Sequence, residues 1–378
     1  MKKIIILLMI LLSSINIVQA QNSDFTPNAL SSVLIDHESN QILFEKAALE
    51  KHYPASTTKI MTLILIYEAL NDQSIALDEI VNVSKYAASM GGSQVYLEEN
   101  EKMSVNDLIK SIAIASANDA CVAMGEYIAS SNEKFVAMMN EKAQELKLKK
   151  TNFVNPTGLH DDNHYTCALD LAIMASYLIE IGGDKLLEIT STYDSYIREN
   201  TSQPFWLVNT NKLLKQYEGI DGLKTGFTTE AGYCLVSTAK KDGMRLIGVV
   251  MGEPKPTLRN EEMMQMLDYG FQNFKVVKLH DQNSIIDQLK IHTRQFESID
   301  ICNQEAITYL VNRQNKAEIK TKIKYQNTQL PLKKNQIIGY FEIYQADQLI
   351  HRCPLYPSKD VVKDSFISNI IYTLKNAY

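Results

Sequence analysis

The stretch PASTTKIMTLILI, residues 54–66, decides the fold of this chain. Its second half, residues 60–66, is too continuously apolar for a helix with one exposed face, so it predicts a buried central helix. Ser56 and Lys59 are three residues apart, and residues at that spacing share one face of a helix. We therefore expect the first turn of a buried helix to hold a hydroxyl and an amine side by side.

A serine next to a lysine is a candidate nucleophile with its base. A serine hydroxyl must give its proton to a nearby base before it can attack at neutral pH. Lys59 can be that base only if its pKa falls well below the usual value of about 10.4. Burial lowers a lysine pKa, and a second positive charge nearby, predicted here to be Lys224, lowers it further. The N-terminal end of the helix also offers N–H groups to an oxyanion.

A second motif, Ser116-Ala117-Asn118, lies between two stretches with helical spacing, residues 107–115 and 121–128. A junction between helices can aim side chains into a cleft. Ser116 is then a candidate proton relay, and the Asn118 amide is a candidate partner for a peptide carbonyl. The alternative is a serine–asparagine pair that only caps a helix.

A third motif, Lys224-Thr225-Gly226, opens a run of β-type segments. The β-branched and aromatic residues of 219–228, 232–238 and 245–250 predict consecutive antiparallel strands joined by short turns. On a strand beside the nucleophile, Lys224 and Thr225 are candidates to bind the C-terminal carboxylate of a peptide. Gly226 would let that peptide approach the backbone closely.

Each motif is weak alone, because Ser131 and Lys134 also read S-x-x-K. Only the set that begins at Ser56 has all three motifs in order, with gaps of 60 and 108 residues. This combination resembles the penicillin-binding proteins and serine β-lactamases. From about residue 34 to residue 274 the chain resembles the D-alanyl-D-alanine carboxypeptidases in particular. The matching stretches include residues 91–93, 153–159, 164–166, 209–214 and 267–270.

The resemblance implies an α+β fold, in which a transpeptidase-like domain of antiparallel sheet and helical cluster precedes a small all-β domain. It implies a serine carboxypeptidase that acts on peptidoglycan stem peptides and is acylated by β-lactams, with no metal or other cofactor. The residues that it assigns are Ser56, Lys59 and Ser116 for catalysis, and Asn118, Lys224, Thr225, Phe227 and Arg259 for substrate binding. Phe227 would lend its backbone N–H to the oxyanion hole.

Two substrate-binding assignments have alternatives. Arg259 lies where the family keeps an arginine that faces the substrate carboxylate, but it could be a solvated helix residue beside Glu261 and Glu262. Some relatives also carry an arginine at the centre of residues 209–211. This chain has Thr210 there, so we expect any contact made by that arginine to be missing.

The ends of the chain predict an exported protein. Residues 1–20 have the basic start, apolar middle and small-residue cleavage site of a secretory signal peptide. Residues 21–274 are the predicted catalytic domain and 275–357 a β-rich domain. Residues 358–378 predict an amphipathic helix, which in the family lies on the inner membrane. We therefore expect a periplasmic protein attached to that membrane, the alternatives being an uncleaved N-terminal anchor and a tail packed on the β-rich domain.

Charge and cysteine content exclude other classes of function. The chain has 38 basic and 44 acidic residues and a net charge of −6, which argues against nucleic acid as a partner. The five cysteines lack metal-ligand spacing. Cys121, Cys167 and Cys234 are predicted to be small core residues, whereas pairing of Cys302 with Cys353 is left open.

Two rival functions remain at this point. A class A β-lactamase shares the three motifs but needs a glutamate that activates the deacylating water. No E-x-x-L-N segment occurs between Asn118 and Lys224. A non-catalytic peptidoglycan-binding protein would not need the complete set of Ser56, Lys59, Ser116 and Lys224.

Overall fold

The structure is a computed structural model that describes residues 24–363, apart from residues 200, 292, 294–295, 315–317 and 346. The predicted signal peptide and residues 364–378 of the predicted amphipathic helix lie outside the described residues. For residues 358–363 the helix prediction is wrong, because Val361 pairs with Leu332 and is buried in the core of the C-terminal domain. Within the described part, no helix combines the length and apolar character needed to cross a membrane.

The described residues form seven helices and sixteen strands. The helices are α1 (Lys59–Asn71), α2 (Lys85–Ala88), α3 (Val105–Ala113), α4 (Asn118–Ala129), α5 (Asn132–Glu145), α6 (Ala168–Ser191) and α7 (Pro256–Asn273). The strands up to α7 are β1 (Ser31–Asp36), β2 (Ile42–Lys46), β3 (Ile80–Asn82), β4 (Lys102–Ser104), β5 (Asp194–Ile197), β6 (Phe205–Val208), β7 (Ile220–Thr228), β8 (Gly232–Lys241) and β9 (Met244–Glu253). After α7 come β10 (Phe274–His280), β11 (Ile285–Lys290), β12 (Ser298–Cys302), β13 (Ile307–Asn312), β14 (Ile319–Tyr325), β15 (Gly339–Gln345) and β16 (Gln348–Pro357).

A five-stranded antiparallel sheet in the order β2-β1-β9-β8-β7 forms the centre of the first domain. Its two faces belong to two different cores, because alternate residues of a strand point to opposite sides. Val33 and Ile35 of β1 pack into the core that contains α1 and α6, whereas Leu34 packs with α7. The prediction of consecutive strands from residue 219 to 250 is confirmed by β7, β8 and β9.

Helix α1 lies at the centre of the helical cluster, as residues 60–66 predict. All seven of these residues are buried, with at most 4% of any side chain exposed. Such a helix has no polar face to give to solvent, so it must be surrounded on all sides. Among the described elements, α1 packs against α3, α4, α5 and α6 and against strand β7.

The part of the chain after α7 is an all-β domain with its own core. Strand β10 pairs with β13, and a second sheet has the order β11-β12-β16-β15-β14. Strands β14 and β15 pair directly with each other, and the β-rich domain predicted after residue 274 is confirmed. The exact limits predicted for the domains, at residues 274 and 357, stay predictions.

The cysteines divide as the sequence predicts. Cys121, Cys167 and Cys234 are fully buried. Cys302 and Cys353 are half-buried free thiols, so the disulfide left open by their spacing is not formed in this structure.

Candidate active site

Ser56 lies in a short 3₁₀ turn, Ala55–Thr58, that leads directly into α1. Two glycines let neighbouring segments approach this turn. A Cβ atom on Gly158 would lie 1.8 Å from the Ala55 carbonyl oxygen, and one on Gly226 would lie 3.0 Å from the Ser56 backbone nitrogen. Any larger residue would push these segments away, so the two glycines bring β7 and the 158 loop against the nucleophile.

Lys59 is fully buried and contacts Ser56 directly. Its Nζ lies 3.0 Å from Ser56 Oγ, 2.7 Å from Asn118 Oδ1 and 2.7 Å from the carbonyl oxygen of Thr157. Burial lowers the pKa of Lys59 to about 8, although Cys121 and Asp119 act in the opposite direction. At pH 7 about a tenth of Lys59 is therefore the free amine, far more than for an exposed lysine.

These three contacts aim the lone pair of the free amine at the serine. A neutral amine has two N–H donors and one lone pair. Asn118 Oδ1 and the Thr157 carbonyl can only accept, so they take the two donors. The lone pair is then left for Ser56 Oγ, which can donate its proton to it. The arrangement can thus act as nucleophile and general base.

Lys224 is a second buried lysine beside this pair. Its Nζ donates a hydrogen bond to the Thr225 carbonyl at 2.9 Å. Burial holds the pKa of Lys224 well below its usual value, and the charges of Lys59 and Arg259 lower it further. The charge of Lys59 thus lowers the pKa of Lys224, but burial is the one cause that lowers the pKa of Lys59, so the predicted contribution of Lys224 to the pKa of Lys59 is not found.

The predicted junction between two helices is confirmed. Helix α3 ends at Ala113, α4 begins at Asn118, and Ser116 between them is buried with a left-handed φ of +63°. Besides its contact with Lys59, Asn118 donates from Nδ2 to the Gly91 carbonyl at 2.8 Å and from its backbone N–H to the Ser93 carbonyl at 2.7 Å. Asn118 thus links the base to the loop that follows α2.

Two of the predicted carboxylate-binding residues have defined partners. Thr225 Oγ1 donates to Thr210 Oγ1 at 2.7 Å, so the threonine that replaces the arginine of some relatives contacts the K-T-G strand. Arg259 is 6% exposed and donates twice to Asn260 Oδ1. It is therefore a buried cation and not the solvated helix residue of the alternative.

Phe227 follows Gly226 on β7, and its side chain is more exposed than the rest of the site. Its ring is 53% exposed and stacks on Tyr233, with ring centroids 4.3 Å apart. The backbone of Phe227 is one residue beyond the point where β7 approaches the Ser56 nitrogen. This places the two N–H groups expected for an oxyanion hole on adjoining segments.

Sequence reasoning missed the role of His164, although it noted the stretch 164–166. The Val154 N–H donates to His164 Nδ1 at 3.1 Å, so Nδ1 must be unprotonated. Nε2 then carries the proton and donates to Thr58 Oγ1 at 2.8 Å. Burial lowers the pKa of His164 to about 4, which keeps the ring neutral at pH 7. His164 thus fixes the turn that holds Ser56.

Asp119 was also missed, because the sequence motif assigns roles only to its neighbours. Its carboxylate accepts from the backbone N–H groups of Val95, at 3.1 Å, and Leu97, at 3.0 Å. Asp119 thereby holds the loop that Asn118 contacts. Among the described residues, no group of three or more His, Cys, Asp or Glu side chains could bind a metal ion.

Comparisons with family models and known proteins identify the family of the chain. Residues 17–255 match the family model described as D-alanyl-D-alanine carboxypeptidase, and residues 274–363 match the model for the penicillin-binding protein 5 C-terminal domain. D-alanyl-D-alanine carboxypeptidase DacF of Bacillus subtilis is 41% identical over 94% of this chain and 91% of its own length.

Solved structures give the same result. Penicillin-binding protein 5 from Haemophilus influenzae matches with a TM-score of 0.75 and 31% identity over 89% of this chain and 98% of its own. Penicillin-binding protein D2 from Listeria monocytogenes, solved in its ampicillin-bound form, matches with a TM-score of 0.58 and 31% identity over 65% of this chain and 98% of its own. The α+β fold with an all-β C-terminal domain is thereby confirmed, and the chain belongs to the D-alanyl-D-alanine carboxypeptidase family of serine-type enzymes.

Proposed function

We propose that this protein removes the terminal D-alanine from peptidoglycan pentapeptides through an acyl-enzyme at Ser56. The observation that carries the proposal is the contact of 3.0 Å between Lys59 Nζ and Ser56 Oγ, inside a buried site where two acceptors orient the amine. The family membership supplies the substrate class, a peptide that ends in D-Ala-D-Ala.

Acylation begins when Ser56 Oγ attacks the carbonyl carbon of the penultimate D-alanine. The hydroxyl proton passes to the free amine of Lys59 as the new C–O bond forms. The carbonyl oxygen becomes an oxyanion, which accepts hydrogen bonds from the backbone N–H groups of Ser56 and Phe227. Both donors belong to the rigid backbone, so they need no rearrangement during the reaction.

Expulsion of the terminal D-alanine requires a proton on its nitrogen. Ser116 relays a proton from the lysine base to this leaving amine, and Asn118 holds the peptide through its side-chain amide. Thr225, Lys224 and Arg259 bind the carboxylate of the departing residue. The Thr225 hydroxyl donates to Thr210 in the free protein; when the substrate binds, Thr210 donates to Thr225 Oγ1 instead, and the Thr225 proton turns to the carboxylate. Water then attacks the acyl-enzyme and releases the shortened peptide.

A β-lactam follows the first half of this pathway. Its amide bond is opened by Ser56, but the leaving group stays attached to the acyl moiety and blocks the attacking water. The ampicillin-bound form of the Listeria relative supports this expectation for the present chain.

The proposal is tested by incubating residues 21–378 with a short peptide that ends in Lys-D-Ala-D-Ala and quantifying free D-alanine. Ser56→Ala should release none. Ser131→Ala, in the unrelated S-x-x-K pattern on α5, is the matched control and should behave as the wild type. Absence of D-alanine release from the wild type would refute carboxypeptidase activity.

The fate of the adduct separates the rival functions. A labelled penicillin that stays on Ser56 for a long time indicates a carboxypeptidase, whereas rapid release with hydrolysed product indicates a β-lactamase. No adduct at all would favour a non-catalytic binding protein.

We also propose that the protein is periplasmic and bound to the inner membrane through residues 364–378. The sequence of residues 1–20, which is typical of a signal peptide, and the apolar stripe of the tail support this. Removal of residues 364–378, which keeps the buried Val361, should spare D-alanine release and move the protein into the soluble fraction. Unchanged fractionation after the truncation would refute the anchor.

A further inference from the structure

A surface groove leads away from the active site along helix α4. It consists of two adjoining cavities, a nearer one of about 470 Å³ and a farther one of about 640 Å³. The two cavities share Tyr86, Asn132 and Glu133 as lining residues, so they form one continuous groove. Concave surfaces of this size, lined by aromatic and polar side chains, are typical of ligand sites.

The nearer cavity adjoins the catalytic residues. Thr157 lines it, and the Thr157 carbonyl accepts the hydrogen bond from Lys59 Nζ at 2.7 Å. Leu159 also lines it and is 41% exposed. A Cβ atom on Gly92 would lie 3.9 Å from Leu159 Cδ2 and 2.8 Å from Asn118 Nδ2. The walls of this cavity are therefore immediate neighbours of Lys59 and Asn118.

Helix α4 sets the length of the groove. Asn118 is the first residue of α4, Val122 lines the nearer cavity, and Glu126 lines the farther one. With a rise of 1.5 Å per residue, Glu126 lies about 12 Å along the helix axis from Asn118. In a peptidoglycan pentapeptide, four residues separate the sugar from the scissile bond, and four extended residues span at most about 14 Å. The sugar that carries the peptide would therefore lie at the farther cavity.

The farther cavity presents side chains that suit a sugar. Tyr86 and Tyr127, which both line it, are 55% and 37% exposed. Their rings offer apolar surface to the C–H face of a pyranose ring, and their hydroxyl ends stay polar. Glu126 and Asn132 add a carboxylate and an amide, which can hydrogen-bond to sugar hydroxyl and N-acetyl groups.

Hydrogen bonds within the protein hold both tyrosines at their positions. Tyr127 Oη donates to Glu79 Oε2 at 2.6 Å, which fixes the outer end of its ring. Tyr86 lies on α2, and its carbonyl accepts a hydrogen bond from Ser89 Oγ at 2.8 Å. A ligand in the groove therefore loses less free energy in ordering these side chains.

We propose that the farther cavity binds the amino sugar to which the pentapeptide is attached, with Tyr86 and Tyr127 in contact with the sugar ring. The nearer cavity then holds the part of the peptide between the sugar and the scissile bond. The inference rests on the proposed function, because it extends the substrate of the same site from the peptide to its sugar.

Binding to the inactive Ser56→Ala protein tests this without turnover. One ligand is a pentapeptide with an N-terminal lactyl group, and the other is the same lactyl pentapeptide as part of an N-acetylglucosamine–N-acetylmuramic acid disaccharide. The two ligands differ only in the sugars. We expect the disaccharide to lower Kd about tenfold, which corresponds to about 1.4 kcal/mol. Equal Kd values would overturn the proposal.

Tyr127→Ala in the Ser56→Ala background removes one aromatic face and should reduce the tenfold ratio of the two Kd values to less than about threefold. Tyr127→Phe keeps the ring, loses only the hydroxyl that contacts Glu79, and should retain most of the ratio. Tyr196→Ala is the matched control, because it removes a tyrosine that is 48% exposed on β5, outside the groove. An unchanged ratio in Tyr127→Ala, or an equal loss in Tyr196→Ala, would overturn the proposal.

D-alanine release by the wild type is a separate measurement. A protein that releases none, but prefers the disaccharide ligand and loses this preference in Tyr127→Ala, would refute the proposed function and leave the sugar site standing. Release of D-alanine together with equal Kd values for the two ligands would refute the sugar site and leave the proposed function standing.

Discussion

The catalytic site and the core of the C-terminal domain differ in whether they bury lysine side chains. Lys59 and Lys224 are among the largest fully buried side chains that the structure describes. The β-rich domain buries Ile301, Ile343, Leu355 and other apolar residues instead. Its lysine ion pairs, such as Lys320 with Asp347, lie at the surface.

This difference indicates why the catalytic domain buries two lysines. Burial of an ammonium group is strongly unfavourable, so a domain whose only task is to fold avoids it. The catalytic domain accepts this cost because desolvation converts part of Lys59 to the free amine that Ser56 needs. Among the described residues, Lys59 and Lys224 are the buried lysines, and both lie in the site. The following changes test that contrast.

Lys59→Ala should produce the largest effect. It removes the base at 3.0 Å from Ser56 Oγ, and we expect acylation by penicillin to slow by at least about 10³-fold. The rate constant of adduct formation with a fluorescent penicillin measures this. Lys134→Ala changes the exposed lysine of the other S-x-x-K pattern and should leave the rate unchanged. Normal acylation of Lys59→Ala would refute the proposed base.

Ile301→Ala should affect only the apolar core. Ile301 is 0% exposed, and the cavity left by truncation should lower the free energy of unfolding of the β-rich domain by about 2–5 kcal/mol. Denaturant unfolding measures this, and penicillin acylation by the folded protein should be unchanged. Ile285→Ala, at a side chain that is 61% exposed, is the control and should change stability by less than about 0.5 kcal/mol. Slower acylation by folded Ile301→Ala would mean that the domains are coupled.

The contrast also explains how much of the molecule could be predicted from sequence. The continuous apolar run of α1, the β-branched and aromatic residues of β7 and β15 and the alternation of apolar and polar residues in β14 can all be read from the sequence. The three motifs could be placed on the same elements, since each adjoins such a pattern. The fold and the proximity of Ser56, Lys59 and Asn118 could therefore be predicted from the sequence.

The supporting contacts could not be predicted from the sequence, since each joins positions that are distant in the chain. His164 contacts Thr58 across 106 residues, and Glu262 contacts Asn28 across 234. No local pattern records such a pairing. Glu253 and Glu262 likewise show no sign of burial in the sequence, although the structure buries both. Partners of this kind follow from the packing of elements and not from their periodicity.

The pH dependence of acylation should sharpen the distinction between a base and a structural cation. Because burial lowers the pKa of Lys59 to about 8, the free amine increases as pH rises towards that value. The acylation rate constant should therefore rise about tenfold per pH unit below pH 8 and level off above it. Rates measured with penicillin from pH 5 to pH 10 test this. A rate that is already constant from pH 6 upwards would contradict Lys59 as a base with this pKa.

Thr210→Val should produce the smallest effect and tests whether polar contacts in the site serve substrate binding more than stability. The substitution removes the hydroxyl that contacts Thr225 Oγ1 at 2.7 Å, which is worth about 0.5–1.5 kcal/mol. Because Thr225 is proposed to bind the substrate carboxylate, KM for the D-Ala-D-Ala peptide should rise by up to about tenfold. Thr151→Val is a control outside the site, where it removes a hydroxyl that contacts Thr166 Oγ1 at 2.8 Å and donates to Asp170 Oδ2 at 2.7 Å. It should lower Tm and leave KM unchanged. If Thr210→Val also lowers Tm and leaves KM unchanged, Thr210 contributes only to the stability of the fold. The uncharged polar groups of the site would then not differ from those of the core.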